Sequence, residues 1–172
     1  KKKEYIIMTW HRQENTSDAG RIIQILELIE TIKRPIECPM HQRTYEKLAE
    51  YCLMDRVMAI NGFLVIEPVG YLEMIALLSN SRMIITDSGG LSKESYFAGV
   101  KCLYMLDIDV WEDLDNIGWI RKMSMDNYFN VKIINESFDM QIQERKCSNE
   151  TFYGNGYAAQ KIVDLMEQIC TK

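Results

Sequence analysis

The stretch from Arg82 to Glu94 constrains the fold more than any other part of the chain. A short apolar run at 83–86 leads through Asp-Ser-Gly-Gly into a segment of helical character, Leu91 to Ala98, which Gly99 closes. This order predicts a strand, a glycine turn and a helix. The unpaired N–H groups of a first helical turn, with the positive end of the helix dipole, bind anions, and adjacent glycines let a ligand come close. The turn is therefore a candidate phosphate site.

The residues of this turn suggest more than a phosphate. We expect Ser88, Gly89 and Gly90 to face the anion. Glu94 lies about one turn into the helix and offers two acceptor oxygens, which suit the hydroxyls of a ribose. Together they indicate a nucleotide. A capping serine and a solvated glutamate at an ordinary strand-to-helix turn explain the same residues equally well.

Length and composition restrict the class of protein. A chain of 172 residues with 47% hydrophobic and 26% charged residues is typical of one globular domain. A net charge of −5 and the lack of a basic stripe argue against nucleic acid, and no apolar run approaches membrane-spanning length. Five cysteines without a framework spacing favour a reducing cytoplasm. Because a strand begins almost at Lys1, without a methionine, we expect that a preceding segment has been removed.

The beginning of the chain predicts a first strand followed by a helix. The strand covers 5–9, a polar loop covers 10–16, and Ser17 or Asp18 caps a helix that continues to about Lys33. The loop places His11 and Arg12 at the carboxyl end of the strand, where open α/β sheets bind ligands. A loop histidine and a surface arginine without a role remain the alternative.

A second strand at 36–40 and a helix at 44–53 place His41 in the equivalent position. Two histidines in equivalent places are more informative than either alone. The spacing of Cys38 and His41 also fits a metal site, but the sequence does not identify a neighbouring third and fourth ligand. We therefore predict no metal and no cofactor.

The remaining segments continue the alternation of strands and helices, which predicts a parallel sheet covered on both faces. Residues 55–61 are ambiguous. We predict strands at 63–66, 101–105 and 117–123. We predict helices at 71–80, 126–134, 138–146 and 157–170. The buried face of the helix at 71–80 is expected to comprise Leu72, Ile75, Ala76 and Leu78, and the last helix carries Ile162, Leu165, Met166 and Ile169 on one side. The acidic segment 106–116 is expected to form a loop over the open edge of the site.

Several short motifs resemble one enzyme family in order and spacing. They are Thr9 to Asn15, Pro39 to His41, Glu67 to Leu72, Thr86 to Glu94 and Tyr153 to Ala158. In this respect the chain resembles the C-terminal half of the non-hydrolysing UDP-N-acetylglucosamine (UDP-GlcNAc) 2-epimerases. The similarity covers nearly all of the chain, and motifs in register are more specific than any one of them.

The resemblance implies a fold and a set of contacts. It implies a Rossmann-like three-layer α/β/α parallel sheet like the C-terminal half of a GT-B, glycogen phosphorylase-like fold. Residues 1–172 would then form one nucleotide-binding domain of a parent whose N-terminal domain is absent. The diphosphate of UDP would lie against Ser88, Gly89 and Gly90, and Glu94 would bind the ribose. The resemblance places His11, in a catalytic role, and Arg12 at the diphosphate or sugar, and His41 near the uridine.

The reaction implied by the resemblance inverts C2 of the sugar by eliminating UDP and adding it back on the other face. In the family the carboxylates that transfer the proton belong to the N-terminal domain, so we expect this chain alone to bind weakly and catalyse nothing. The implied partners are a UDP-sugar, the missing N-terminal domain and, in the parent, a second copy forming a homodimer. Neither nucleic acid nor membrane is implied.

One segment departs from the family pattern. Where family members carry Arg-Asp-Thr-Thr-Glu-Arg-Pro-Glu, this chain has Leu106 to Asp113, in which only Asp107 matches. The exchange replaces cationic donors with acids, which should weaken the binding of an anionic substrate. The leading interpretation is the C-terminal domain of a UDP-GlcNAc 2-epimerase, although the altered segment also allows a different nucleotide sugar. Two alternatives stay open: a glycosyltransferase of the same fold, and a nucleotide-sugar-binding module without activity.

Overall fold

A computed structural model describes residues 4–106, 111–123, 127–139, 153, 154 and 156–170 of the chain. The chain divides into two compact units, residues 1–142 and residues 143–172, and each is described by itself.

The first unit contains a six-stranded sheet in which every neighbouring pair is parallel. Its strands are β1 (Ile6–Thr9), β2 (Ile36–Pro39), β3 (Phe63–Ile66), β4 (Met83–Thr86), β5 (Lys101–Tyr104) and β6 (Ile120–Lys122). The order is β3-β2-β1-β4-β5-β6. The strand order therefore reverses between β1 and β4, and open α/β sheets bind ligands at the carboxyl side of such a reversal.

Helices connect the strands. They are α1 (Gln13–Thr16), α2 (Ala19–Thr31), α3 (Gln42–Glu50), α4 (Met54–Ala59), α5 (Tyr71–Asn80), α6 (Gly89–Ala98), α7 (Glu112–Asn116) and α8 (Asn127–Asp139). Alternate residues of β1 point to opposite faces of the sheet. Ile6 and Met8 belong to the large core with Leu26 of α2 and Ile134 of α8, whereas Ile7 is equally buried but lies outside that cluster. The predicted α/β/α arrangement of layers is confirmed.

Most elements lie where the sequence predicts them, with a few differences. The predicted loop at 10–16 contains α1, and the ambiguous segment 55–61 is mostly the helix α4. The last strand is shorter than 117–123, because Gly118 has a positive φ and the chain turns there before β6 begins. A single helix, α8, contains both 127–134 and Phe138, and the rest of the predicted helix at 138–146 lies almost wholly outside the described residues.

The buried face of α5 also differs from the prediction. Leu78 is fully buried and Ile75 half-buried, but Leu72 is 80% exposed and Ala76 is exposed as well. The helix turns its half-buried Met74 inward instead. Burying methionine removes more apolar surface from water than burying alanine, so this rotation is favoured.

The end of α3 contains an energetically unfavourable residue. Cys52 has φ +54°, and Leu53 donates its N–H to Leu48 O at 2.8 Å, closing the helix as glycine-terminated helices close. We expect Cys52→Gly to raise the free energy of unfolding by about 1 kcal/mol, since glycine has no Cβ to strain this conformation. Urea denaturation measures the change. Cys52→Ala keeps the strained Cβ and is the control, and a glycine variant no more stable than the alanine variant would contradict the prediction.

The second unit contains the helix α9 (Ala158–Cys170). The side chains predicted to share one side, Ile162, Leu165, Met166 and Ile169, are all exposed. Among the residues that the structure describes, no helix combines the length and the apolar character needed to cross a membrane.

Candidate functional site

The candidate site lies at the carboxyl ends of β1 and β4. Thr9 and Thr86 are register partners at the ends of these strands, and their Oγ1 atoms are 2.8 Å apart. The loop after β1 and the loop after β4 therefore leave the sheet side by side. This position is the reversal of strand order at which α/β sheets bind ligands.

The N-terminus of α6 forms one wall of the site. Ser88 caps the helix, because its Oγ accepts the N–H of Leu91 at 3.3 Å while its own N–H is bound to Thr86 Oγ1 at 3.0 Å. The helix begins at Gly89, two residues before the predicted Leu91, because the serine cap starts it there. Within the described ranges, no acceptor faces the N–H of Gly89 or of Gly90.

Neither the backbone conformation nor the packing around residue 90 requires a glycine there. Its φ does not lie in the left-handed region, in contrast to that of Gly99 at the other end of α6. The nearest atom that an added Cβ would meet, outside its own helix backbone and chain neighbours, is Ser88 Oγ at 4.0 Å. Gly90 is also exposed. The space above it is therefore open to a ligand.

Asp87 is the central residue of the site, and the sequence analysis missed it. It is fully buried, and its carboxylate accepts the N–H of His11 at 3.0 Å, the N–H of Arg12 at 2.9 Å and Nδ2 of Asn15 at 3.0 Å. The loop after β1 is thus held to the loop after β4. The signal in the sequence is its position, at the end of a buried apolar strand and before the glycine turn.

Arg12 is fixed at one end only. Its Nε donates to the carbonyl oxygen of Asp87 at 3.0 Å, and its two terminal nitrogens have no acceptor in the described part of the chain. Behind it, Nε of the half-buried Arg21 donates to Asn15 Oδ1 at 3.0 Å. Burial lowers the pKa of Arg21 from its ordinary value. Arg12 is therefore a cation held in position by its Nε, and its terminal nitrogens can donate hydrogen bonds to a ligand.

The two predicted histidines come together. The rings of His11 and His41 stack with centroids 4.8 Å apart, and His41 Nδ1 accepts the N–H of Arg43 at 3.1 Å as the cap of α3. Nδ1 of His11 lies 3.4 Å from Asp87 Oδ1. Burial lowers the pKa of His11, Asp87 opposes this shift, and His41, Arg12 and Arg43 add to it. The net result is a neutral imidazole near pH 7.

The ends of β2 and β3 add a cavity beside His41. Its volume is about 400 Å³. It is lined by Met40, Gln42, Tyr45, Val65, Ile66, Glu67 and Pro68.

The half-buried Glu94 lies on α6 about one turn beyond Gly90, and no described residue makes a hydrogen bond or ion pair with its carboxylate.

The acidic segment contributes a tryptophan that the sequence analysis did not single out. Nε1 of Trp111 donates to Gly89 O at 2.7 Å, and the ammonium group of Lys93 lies 4.2 Å from the centre of the Trp111 ring. The segment 106–116 is therefore not simply a loop, since its end forms α7. Residues 107–110 lie outside the described residues.

The described residues contain no group of three or more histidine, cysteine, aspartate or glutamate side chains arranged to hold a metal. Cys38, considered above as a ligand, is buried, and burial raises the pKa of its thiol far above the ordinary value.

Comparison with known proteins identifies the family. A family model described as UDP-N-acetylglucosamine 2-epimerase matches residues 1–167. A UDP-N-acetylglucosamine 2-epimerase homolog of Methanococcus maripaludis is 32% identical over 98% of this chain and 46% of its own length. The UDP-2,3-diacetamido-2,3-dideoxy-D-glucuronate 2-epimerase of Pseudomonas aeruginosa is 33% identical over 96% of this chain and 45% of its own length.

The fold agrees with this assignment. The crystal structure of Methanocaldococcus jannaschii UDP-GlcNAc 2-epimerase in complex with UDP-GlcNAc and UDP superimposes with a TM-score of 0.83 at 27% identity, over 96% of this chain and 46% of that one. The chain spans about half the length of the curated relatives it matches. The family model and the relatives together establish that this chain belongs to the UDP-N-acetylglucosamine 2-epimerase family.

Proposed function

We propose that this chain is the UDP-binding C-terminal domain of a UDP-GlcNAc 2-epimerase. The parent would interconvert UDP-GlcNAc and UDP-N-acetylmannosamine by eliminating UDP and adding it back. The observation that carries the proposal is that, in the described part of the chain, the N–H groups of Gly89 and Gly90 and the terminal nitrogens of Arg12 meet no acceptor, while Arg12 Nε is bonded to Asp87 O just before α6. Two backbone donors and the helix dipole at the N-terminus of α6, together with the guanidinium bonded to the preceding residue, are complementary to a diphosphate.

Each part of the nucleotide has a matching group. The Ser88 hydroxyl accepts a hydrogen bond from Leu91 and keeps its own hydrogen for a phosphate oxygen. Glu94 offers acceptors to the two ribose hydroxyls. The cavity beside His41 provides walls for the uracil ring. The complex of the M. jannaschii relative with UDP-GlcNAc and UDP supports this assignment.

The chemistry divides between this chain and the rest of its parent. Cleavage of the C1–O bond leaves negative charge on the departing UDP, which the donors of α6, Arg12 and His11 are placed to stabilise. Removal of the proton at C2 needs a carboxylate base. Asp87 is unsuited to that task, because it is buried and accepts three N–H groups of its own chain. We therefore propose that the base lies in the other part of the parent and that this chain alone is inactive.

The identity of the sugar is the least constrained part of the proposal. The P. aeruginosa relative is named for a different UDP-sugar, so the UDP moiety is what the two relatives' names share. In this chain Trp111 hydrogen-bonds to Gly89 O in the first turn of α6, beside the proposed diphosphate site. We take GlcNAc as the sugar because most of the related enzymes compared carry that name.

Titration of the chain with UDP in a calorimeter tests the proposal. We expect saturable binding, which Glu94→Gln weakens by about 1.5–3 kcal/mol, roughly tenfold or more, because two hydroxyls lose a charged acceptor. Glu27→Gln is the matched control, since Glu27 is an exposed glutamate on α2, away from the site. A folded chain that binds no UDP, or that binds equally well in both variants, would refute the nucleotide site as assigned. Epimerisation of UDP-GlcNAc by the chain alone would refute its inactivity.

A further inference from the structure

The buried Asp87 carboxylate and the His11 ring form a pair that the loops after β1 and β4 hold together. We propose that Asp87 is a positioning residue that fixes the His11 ring with Nδ1–H toward the carboxylate, so that Nε2 binds the nucleotide only when protonated. Nucleotide binding then takes up a proton. The inference rests on the proposed function for the ligand, but its part about His11 and Asp87 concerns the free chain.

The tautomer of His11 follows from the contacts. Asp87 Oδ1 lies 3.4 Å from Nδ1 of the ring. A lone pair on Nδ1 at this distance from a carboxylate oxygen would be repelled, whereas an N–H would be attracted. Nδ1 therefore carries the hydrogen in the neutral ring. Nε2, on the far side of the ring from Asp87, carries the lone pair.

The surroundings of Asp87 keep its oxygens as acceptors. Every group that hydrogen-bonds to the carboxylate is a donor: the N–H of His11, the N–H of Arg12 and the amide of Asn15. Asn15 cannot turn its oxygen toward Asp87, because Arg21 Nε holds that oxygen at 3.0 Å. The carboxylate orientation is thus set by two backbone N–H groups and one side-chain amide.

The charges around His11 come from three elements of the fold. The loop before α6 contributes Asp87, the N-terminal end of α3 contributes its cap His41 and Arg43, and the loop of His11 itself contributes Arg12. Burial has the largest effect and lowers the pKa of His11, the cations and His41 lower it further, and only Asp87 raises it. In the free chain His11 is therefore neutral near pH 7, and its Nε2 is an acceptor.

A bound diphosphate changes the net effect on the pKa of His11 from lowering to raising. Oxygens of an anion facing Nε2 repel its lone pair and attract an N–H, so the bound ligand raises the pKa of His11. Between the lower pKa of the free chain and the higher pKa of the complex, each binding event transfers one proton from the buffer to Nε2. The affinity accordingly rises as the pH falls through this interval and levels off below the pKa of the free chain.

Calorimetry in two buffers of different ionisation enthalpy measures the proton uptake. The probe is UDP-GlcNAc, because the terminal phosphate of UDP, like a phosphate monoester, itself titrates at pH ~6. Between the pKa of His11 in the free chain and its pKa in the complex, we expect an uptake approaching about one proton per nucleotide, which His11→Gln abolishes and Glu27→Gln leaves unchanged. Binding without proton uptake would overturn the inference and leave the proposed function intact. Absence of binding would overturn the proposed function and the coupling together.

Nitrogen NMR of the histidine rings in the free chain tests the role of Asp87 without a ligand. We expect the Nδ1–H tautomer for His11. In Asp87→Asn we expect a lower pKa for His11 and a mixture of tautomers, since the group that raises the pKa and selects the tautomer is lost. A role of Asp87 limited to stability would leave both properties unchanged in the folded variant. The Nε2–H tautomer in the unmodified chain would contradict the proposal outright.

Discussion

Replacing Asp87 with alanine is expected to lower the free energy of unfolding by about 3–5 kcal/mol, because a buried acceptor that satisfies several donors is removed. The N–H groups of His11 and Arg12 and the amide of Asn15 would all lose their partner. The main-chain contacts of Asp87 with Arg12 and with Tyr104 would remain, but they do not replace the carboxylate. Urea denaturation followed by circular dichroism measures the change.

Two further variants show whether the carboxylate itself is responsible. Asp113→Ala removes an exposed aspartate of α7, and we expect it to change stability by less than about 0.5 kcal/mol. Asp87→Asn keeps one acceptor oxygen but turns an NH₂ group toward the donors, so its effect should lie between those of the other two variants. If Asp87→Ala is no more destabilising than Asp113→Ala, the carboxylate does not hold the two loops together.

The parts of this fold that the sequence predicts are those set by neighbouring residues. The strand at 83–86 and the glycine at 99 depend on residues a few positions apart, and both lie as predicted. Ser88 forms the cap that the alternative interpretation of the turn expected. The helix at 71–80 has the predicted bounds. Its rotation does not follow from the pattern, because Met74 and Ala76 are both apolar and only the packing against the sheet decides which is buried.

The residues of the candidate site likewise divide into those that the sequence predicts and those that depend on contacts between distant parts of the chain. Its predicted members follow strand ends or begin a helix, so the topology of a parallel sheet brings them to one edge. Asp87, Asn15 and Arg21 act through hydrogen bonds that join residues far apart in the chain, and the sequence offers no periodic signal for such a network. Trp111 is a similar case, since its contact with Gly89 depends on how α7 is placed beside α6.

Substitutions at Gly90 and Gly99, near the two ends of α6, distinguish an effect on ligand binding from an effect on backbone conformation. Gly99 ends the helix with φ +72°, so a Cβ there is strained. Gly90 has no positive φ, and a Cβ there meets nothing closer than 4.0 Å outside its own helix backbone and chain neighbours. A side chain at 90 is thus acceptable to the folded chain and stands where the proposed diphosphate would lie.

We therefore expect Gly90→Leu to abolish most UDP binding while the protein becomes slightly more stable. Loss of the two backbone hydrogen bonds to the diphosphate should weaken binding by about 3 kcal/mol, roughly a hundredfold. Leucine in place of glycine in a helix should raise the free energy of unfolding by about 0.5–1 kcal/mol. Calorimetric titration and urea denaturation of the same preparation measure both quantities.

Gly99→Ala is the matched control and should show the opposite pattern. It should lower the free energy of unfolding by about 1 kcal/mol, because alanine is strained at positive φ, and leave UDP binding unchanged. Equal affinities for UDP in the Gly90→Leu variant and the unmodified chain would mean that the diphosphate does not lie on the N-terminus of α6. The opposite signs matter, because general loosening of the fold would lower stability and affinity together, whereas a ligand displaced from Gly90 lowers affinity alone.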